Sequence, residues 1–225
     1  MEIPILYEDN HLLVVEKPVN IPVQEDRTGD KDLLTILKHD IKVRYEKPGE
    51  VFLGLVHRLD RPVGGVMVFA KTSKAASRLS EVIRNQALDR KYLAVVRGTP
   101  PANKGMLEHY LVKDSRQNKV FTTSASNSKG KKAVLEYELI GQNGQLSLLS
   151  IRLHTGRSHQ IRVQLSESGC PLYGDQKYGQ TVNRPGQQIA LWANVLGFKH
   201  PTKDELIEVQ STPPNEYPWN LFKNL

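Results

Sequence analysis

Short apolar segments with the two-residue period of β-strands dominate the hydrophobic pattern of this chain. Ala133–Ile140 and Gln145–Leu153 both alternate, and the turn sequence Gly141–Gly144 between them predicts a β-hairpin. Two further apolar runs, Pro4–Tyr7 and His11–Val15, flank a polar Glu-Asp-Asn turn and predict a second hairpin. Other strands are predicted at residues 51–56, 66–70, 92–96, 188–196 and 205–210.

Three segments have the 3.6-residue period or the capping residues of helices. One starts at Thr72 or Ser73 and places apolar residues at 75, 76, 79, 82 and 83. Shorter helices are predicted around Leu33–Val43 and at Ser158–Ser168, the latter with Ser158 as N-cap and Gly169 just beyond its end. Residues 97–132 are rich in Gly, Pro, Ser, Asn and Lys and predict extended loops.

Strands outnumber helices, and they occur in hairpins rather than in regular strand–helix–strand units. This pattern predicts an α+β fold with a large, mostly antiparallel β-sheet and flanking helices. A chain of 225 residues with 39% hydrophobic and 24% charged residues can bury one sizeable core. The single cysteine, Cys170, the lack of a secretory signal and the lack of a long apolar run favour a cytoplasmic protein that does not enter a membrane.

Positive charge is concentrated in one part of the chain. The net charge is +7, but residues 1–50 carry 7 basic and 11 acidic residues, whereas residues 84–132 carry 11 basic and 3 acidic residues. A local excess of this kind attracts polyanions, and nucleic acid is the candidate that fits it. A lysine-rich solvated surface would show the same composition, so charge alone leaves both interpretations open.

The sequence contains none of the motifs that hold common cofactors. It has no phosphate-binding P-loop, no strand-borne dinucleotide motif, no HExxH zinc motif and no GxSxG serine motif, and its seven histidines form no i, i+4 metal pair. We therefore expect a site that uses no cofactor and no metal.

The densest polar cluster between apolar strands is His57–Gly65. A loop that leaves one buried strand and enters another can hold the Asp60 carboxylate at the rim of a cleft, and Gly64 and Gly65 would let another backbone or a ligand approach closely. The alternative is that Asp60 caps a turn and pairs with Arg61 at the surface.

A second candidate segment is Leu153–Arg162. The predicted strand ends at Leu153, and the helix that follows offers backbone N–H groups to an anion. Arg162, one turn into that helix, could pair with a buried aspartate and keep it ionised. The alternative is that Arg157 and Arg162 both face solvent.

Several motifs occur in an order that resembles the RluA-type pseudouridine synthase family. They are HRLDRPVGG from His57, Lys91-Tyr92, LHTGRSHQIRVQL from Leu153, and PLYGD from Pro171 with Tyr178-Gly179. The resemblance covers about residues 5–210 and implies a large mixed, mostly antiparallel sheet with a central RNA-binding cleft. It also implies isomerisation of uridine within an RNA chain, without a cofactor, after the base has left its stack.

The same resemblance assigns residue roles. It implies that Asp60 is the catalytic carboxylate, that Arg58 occupies or props open the space vacated by the base, and that Tyr92 stacks on the flipped uracil. Arg162 matches the basic partner of the aspartate, and Arg157 is expected to contact phosphate. We assign His57, His159 and Gln160 structural roles, as hydrogen-bonding residues within their loops.

The chain departs from the common family pattern at Val63, Gly64 and Trp192, which we interpret as changes in loop shape and RNA choice. We expect no S4-type RNA-binding domain ahead of the first hairpin, and we expect residues 1–225 to form a single catalytic domain, acting as a monomer on ribosomal or transfer RNA. The basic stretch would then hold RNA through Lys129, Lys131 and Lys132. Two alternatives are a catalytically silent RNA-binding or chaperone protein of the same fold and a hydrolase with an aspartate nucleophile.

Overall fold

The computed structural model describes residues 2–222 and contains eleven strands and three α-helices within them. In chain order these are β1 Ile5–Glu8, β2 Leu12–Lys17, α1 Leu33–Arg44, β3 Gly54–Leu55, β4 Gly64–Ala70, α2 Ser73–Arg84, β5 Asp89–Arg97, β6 Lys104–Asp114, β7 Lys119–Thr123, β8 Lys131–Asn143, β9 Leu146–Leu153, α3 Gln160–Glu167, β10 Leu191–Lys199 and β11 Leu206–Gln210. A 3-10 turn at Trp219–Leu221 follows. No helix in residues 2–222 has both the length and the apolar character needed to cross a bilayer.

The chain divides into two compact units. The first contains residues 2–89 and 193–211, and its strands follow the order β1-β2-β4-β10, with β3 paired to β4 and β11 to β10. Helix α2 packs Ala75 and Leu79 against Val68 of β4 and Phe198 of β10 in one buried cluster. Thr72 caps this helix by accepting a hydrogen bond from the N–H of Ala75 at 3.2 Å, as the sequence predicts.

The second unit contains residues 90–192 and 212–222. Its strands follow the order β5-β9-β8-β6-β7, and every neighbouring pair is antiparallel. Helix α3 packs Val163 against Leu111, Val120 and Ala133 of this sheet. The hairpin β8–β9 is confirmed, although its turn is the pair 144–145, where Gly144 has a φ of +57°.

The prediction of extended loops at residues 97–132 is wrong, because β6 and β7 form a hairpin there. Strand β6 pairs with β8 on one side and β7 on the other, so its backbone bonds are satisfied by the sheet. Most of its side chains remain exposed or half-exposed, including those of Met106, Leu107 and Val112. A strand of this kind lacks the apolar alternation on which the prediction depended.

Two predicted boundaries are also wrong. Helix α3 begins at Gln160, and its N-cap is His159 in the left-handed region (φ 51°), without a side-chain cap, rather than Ser158. The strand predicted at residues 51–56 is reduced to Gly54–Leu55. Both errors concern short elements whose limits depend on neighbouring segments of the fold rather than on local pattern.

Candidate active site

Asp60 lies in a short turn between β3 and β4. The N–H of Val63 donates to the backbone oxygen of Asp60 at 2.9 Å and closes the turn. Leu59 is buried and anchors the segment, whereas the Asp60 side chain is half-buried and Arg58 is exposed. The ring of His57 accepts a hydrogen bond from the N–H of Val68 at 3.0 Å, so its predicted structural role is confirmed. This arrangement presents the carboxylate from a fixed backbone.

A buried lysine holds the backbone that follows Asp60. Lys17, at the end of β2, is fully buried, and its Nζ donates to the backbone oxygens of Pro18 (2.9 Å), Arg61 (3.0 Å) and Val63 (2.8 Å). Burial lowers the pKa of Lys17 to about 7, and the negative charge of Asp60 opposes that shift. The ammonium group therefore links the end of β2 to the turn that carries Asp60.

The turn is tied to the preceding loop as well. Asn20, with a positive φ of 65°, donates its N–H to the backbone oxygen of Arg61 at 2.8 Å, and Nε of Arg61 donates to the backbone oxygen of Asn20 at 3.1 Å. The Arg61 guanidinium also binds the carboxylate of Asp30 and the hydroxyl of Thr28. The Arg61 side chain thus binds the turn that carries Asp60 to the loop at residues 20–30.

Gly65 marks a close approach between two backbones of the first unit. Its φ is +113°, and a Cβ atom built on it would lie 2.2 Å from the backbone oxygen of Ala193 in β10. No side chain fits in that space, so glycine is required there. The expectation of close approach by another backbone is confirmed at Gly65.

In the second unit, Arg162 makes a bidentate ion pair with Asp175, a residue to which the sequence motifs had given no role. Its Nε and Nη2 donate to the two carboxylate oxygens of Asp175 at 2.8 and 2.9 Å, and both side chains are almost fully buried. Burial alone would raise the pKa of Asp175, but the Arg162 guanidinium and the N–H groups of Lys177 and Tyr178 outweigh it and hold this pKa below its usual range. The alternative of a solvent-facing Arg162 is wrong.

Asp175 belongs to the PLYGD segment, and its place in that motif was the feature of the sequence that could have identified it as a site residue. Tyr178, three residues later, lies under the guanidinium of Arg162, 5.2 Å from Cζ to the ring centroid. Its hydroxyl contacts Nδ1 of His159 at 2.7 Å. Arg162 is therefore held from two sides before any substrate is bound.

The loop ahead of α3 is organised by Gln160. Its Oε1 accepts hydrogen bonds from the hydroxyl of Thr155 (2.8 Å) and the N–H of Arg157 (3.0 Å), and its Nε2 donates to the backbone oxygen of Val134 (3.1 Å). These bonds confirm a structural role for Gln160. The exposed side chain of Arg157 is directed by a bond from Nε to the backbone oxygen of Lys132 at 2.9 Å.

The other predicted RNA-contacting residues also lie in the second unit. Tyr92 is on β5, 8% exposed, and pairs in register with Ile151 of β9. Lys129, Lys131 and Lys132 are exposed at the start of β8 and in the turn before it. Lys132 forms an ion pair with Glu108 at 2.8 Å, which raises the pKa of that lysine. The second unit thus carries Tyr92, Arg157, Arg162 and the three lysines, and the first carries Arg58 and Asp60.

Comparison with known proteins places this chain in one family. The RNA pseudouridylate synthase family model matches residues 11–167. An uncharacterized RNA pseudouridine synthase of Bacillus subtilis is 35% identical over 216 residues, which cover 95% of this chain and 69% of that protein. The ribosomal large subunit pseudouridine synthase D of Zymomonas mobilis is 33% identical over 231 residues, which cover 98% of this chain and 72% of that protein.

Solved structures share the fold. The human RNA pseudouridylate synthase domain containing 4 has a TM-score of 0.78 at 24% identity, covering 94% of this chain and 88% of the human chain. The human RNA pseudouridylate synthase domain containing 1 has a TM-score of 0.73, also at 24% identity, covering 96% and 85%. The predicted α+β fold is confirmed by these likenesses. The chain therefore belongs to the RNA pseudouridylate synthase family, as an RluA-type synthase that isomerises uridine in RNA to pseudouridine.

Proposed function

We propose that Asp60 is the catalytic carboxylate of this synthase and that its substrate is a uridine in ribosomal or transfer RNA. The observation that supports Asp60 most directly is the fixation of its turn by Lys17, whose ammonium binds the backbone oxygens of both Arg61 and Val63. A surface aspartate needs no such anchor. A reacting carboxylate gains from it, because small displacements from a productive geometry cost large factors in rate.

The reaction conserves every atom of the nucleotide. The bond from C1′ to N1 of uracil breaks, the ring rotates, and a bond forms from C1′ to C5; the proton on C5 leaves and N1 gains one. A held carboxylate can serve this sequence as a nucleophile or as a base and then reverse its role. The negative charge of Asp60 in turn favours the protonated form of Lys17, which burial disfavours.

Arg162 is proposed as the charge partner of Asp60. Asp175 binds Nε and Nη2, one edge of the guanidinium, and the Tyr178 ring lies under its plane, so the orientation of the group is set by the protein. A pre-oriented guanidinium pays little conformational entropy when it binds a carboxylate. Asp175 then acts as a positioning residue for Arg162.

The remaining assignments concern RNA. Tyr92 is proposed to stack on the flipped uracil, because an aromatic ring offers a flat face for the base. Arg58 is proposed to fill the space that the base leaves, and its exposure suits contact with a ligand. The exposed Arg157 and the lysines are proposed to contact phosphates, and these residues are Lys129, Lys131 and Lys132.

The test of Asp60 is Asp60→Asn, which keeps the shape of the side chain and removes its charge. We expect turnover on transcribed ribosomal and transfer RNA to fall by about 10⁴-fold or more, because the group acts directly on the nucleotide. Thermal unfolding and RNA affinity should stay close to those of the wild type. Asp204→Asn is the matched control, since Asp204 is an exposed carboxylate paired with Lys199 in the turn before β11. Activity retained by Asp60→Asn would remove this residue from the chemistry.

The target RNA is identified by mapping pseudouridines at nucleotide resolution in a deletion strain. The names of relatives that act on the large ribosomal subunit support ribosomal RNA as the first substrate to examine. We expect at least one uridine to lose its modification and to regain it when the wild-type gene, but not Asp60→Asn, is restored. A map unchanged in both ribosomal and transfer RNA would refute this choice of substrates. The proposal takes the enzyme as a cytoplasmic monomer. Light scattering of the purified chain tests the monomeric state.

A further inference from the structure

Arg90 is a partly buried arginine that lacks a partner in residues 2–222. Its Nε is buried and donates to no acceptor there, and the guanidinium makes no hydrogen bond or ion pair with any described residue. Buried polar groups in folded proteins are almost always paired, and an arginine is kept from solvent only against some acceptor. The protein thus supplies no acceptor for this guanidinium, and its Nη1 and Nη2 groups are left for an acceptor that arrives with a ligand.

Three other arginines of the same unit differ from Arg90 in having an acceptor for the guanidinium. Arg97 donates to an amide oxygen at 3.0 Å, Arg157 to a backbone oxygen at 2.9 Å, and Arg162 to a carboxylate at 2.8 Å. Each of the three has an acceptor supplied by the protein. Arg90 lies among them on β5 without one, so its position is not explained by the internal hydrogen bonds of the unit.

The position of the guanidinium is defined by Gly156. A Cβ atom built on Gly156 would lie 2.3 Å from Nη1 of Arg90 and 3.3 Å from its Cζ. The backbone of Gly156 is outside the left-handed region, so glycine is not needed there for its conformation. A side chain at position 156 would instead displace the end of the Arg90 side chain, which rests on the loop that also carries Arg157.

Arg90 and Tyr92 are two residues apart on one strand, so their side chains leave the same face of the sheet. We propose that Arg90 binds a phosphate of the RNA strand that carries the target uridine. A guanidinium donates two parallel N–H groups to a phosphate, and the phosphate oxygens of RNA supply the acceptor that the described residues do not. The inference rests on the proposed role of Tyr92, since the phosphate would be that of a nucleotide near the stacked base.

The first experiment measures binding of a fluorescein-labelled oligouridylate over a series of salt concentrations. Arg90→Met removes the charge and keeps an apolar stem of similar reach. We expect affinity to fall by about 10-fold or more and the slope of log affinity against log salt to fall by about 0.7, the value for one phosphate contact on a single strand. Arg184→Met is the control, because Arg184 is exposed in the same unit and its side chain makes no hydrogen bond or ion pair with any residue in 2–222; only its backbone is bonded, to Gln176 and Gln187. Equal losses in both variants would overturn the proposal.

The second experiment displaces the guanidinium without removing its charge. Gly156→Ala should weaken oligouridylate binding in the wild type and change it by less than about 2-fold in the Arg90→Met background, because the residue acts through Arg90. Its unfolding temperature should stay near that of the wild type, since a flexible side-chain end can move aside. A loss in the Arg90→Met background as large as in the wild type would overturn the proposed link between the two residues.

Turnover on transcribed RNA distinguishes a failure of the Arg90 proposal from a failure of the proposed substrate. Arg90→Met should lower kcat/KM on transcribed RNA at least as much as it lowers binding. If the wild-type enzyme converted neither ribosomal nor transfer RNA, the choice of substrate would fail, while the salt dependence with oligouridylate would still decide the role of Arg90. An unchanged salt slope in Arg90→Met would refute that role whatever the substrate is.

Discussion

Gly65→Ala tests the claim that the Asp60 turn depends on close backbone packing. At a φ of +113°, an alanine is held in a region that L-residues avoid, at a cost of about 1–3 kcal/mol. Its Cβ would also lie 2.2 Å from the oxygen and 2.7 Å from the nitrogen of Ala193, both backbone atoms that cannot rotate away. Separating two packed strands costs about another 1–3 kcal/mol. The variant should therefore lose about 2–6 kcal/mol of its free energy of unfolding.

Two other glycines separate these contributions. Gly144 has a φ of +57° and no atom within 4 Å of its built Cβ, so Gly144→Ala should show backbone strain alone, about 1–2 kcal/mol. Gly49 has neither feature, and Gly49→Ala should change stability by less than about 1 kcal/mol. Urea unfolding monitored by circular dichroism measures all three. The reasoning is refuted if Gly65→Ala costs no more than Gly144→Ala, because the contact with Ala193 would then carry no penalty.

Three further predictions follow from the charged groups. Arg162→Met should lower the free energy of unfolding in urea by about 3–5 kcal/mol, because it leaves the Asp175 carboxylate buried and unpaired. Adding Asp175→Asn should recover part of this loss. If the losses of the two single variants simply added in the double variant, the pairing would be contradicted. Lys17 has a pKa lowered from 10.5 to about 7, so below pH 7 both folded and unfolded chains carry its proton, whereas between pH 7 and 10.5 only the unfolded chain does. The stability of the wild type relative to Lys17→Met should therefore rise between pH 7 and 10, by at most about 4 kcal/mol, and a flat difference would argue against the lowered pKa. Charge reversal of the exposed lysines should weaken RNA binding and reduce its salt slope by roughly one per lost phosphate contact, and an unchanged slope would place the RNA elsewhere; the lysines are Lys129, Lys131 and Lys132.

Local sequence patterns were sufficient to predict the elements that are specified by their own turn, cap and hydrophobic period. The hairpin β8–β9 follows from two alternating segments and a glycine-containing turn, and helix α2 follows from its period and its Thr72 cap. The strands β6 and β7 did not follow, because their backbone bonds come from neighbours in the sheet while their side chains are largely exposed or half-exposed and do not alternate between apolar and polar. The hydrophobic pattern of a sequence does not identify a strand whose side chains are mostly exposed.

The sequence by itself determined the family and the candidate residues, because ordered motifs such as His57–Gly65 and Leu153–Arg162 can be recognised without coordinates. Only the tertiary structure decided how those residues are held. It pairs Arg162 with Asp175, places the Lys17 ammonium under the Asp60 turn, and rests Arg90 on Gly156. Each of these contacts joins segments far apart in the chain or side chains whose direction depends on packing. Residue type and spacing say which groups can interact, and only the folded backbone brings them within bonding distance.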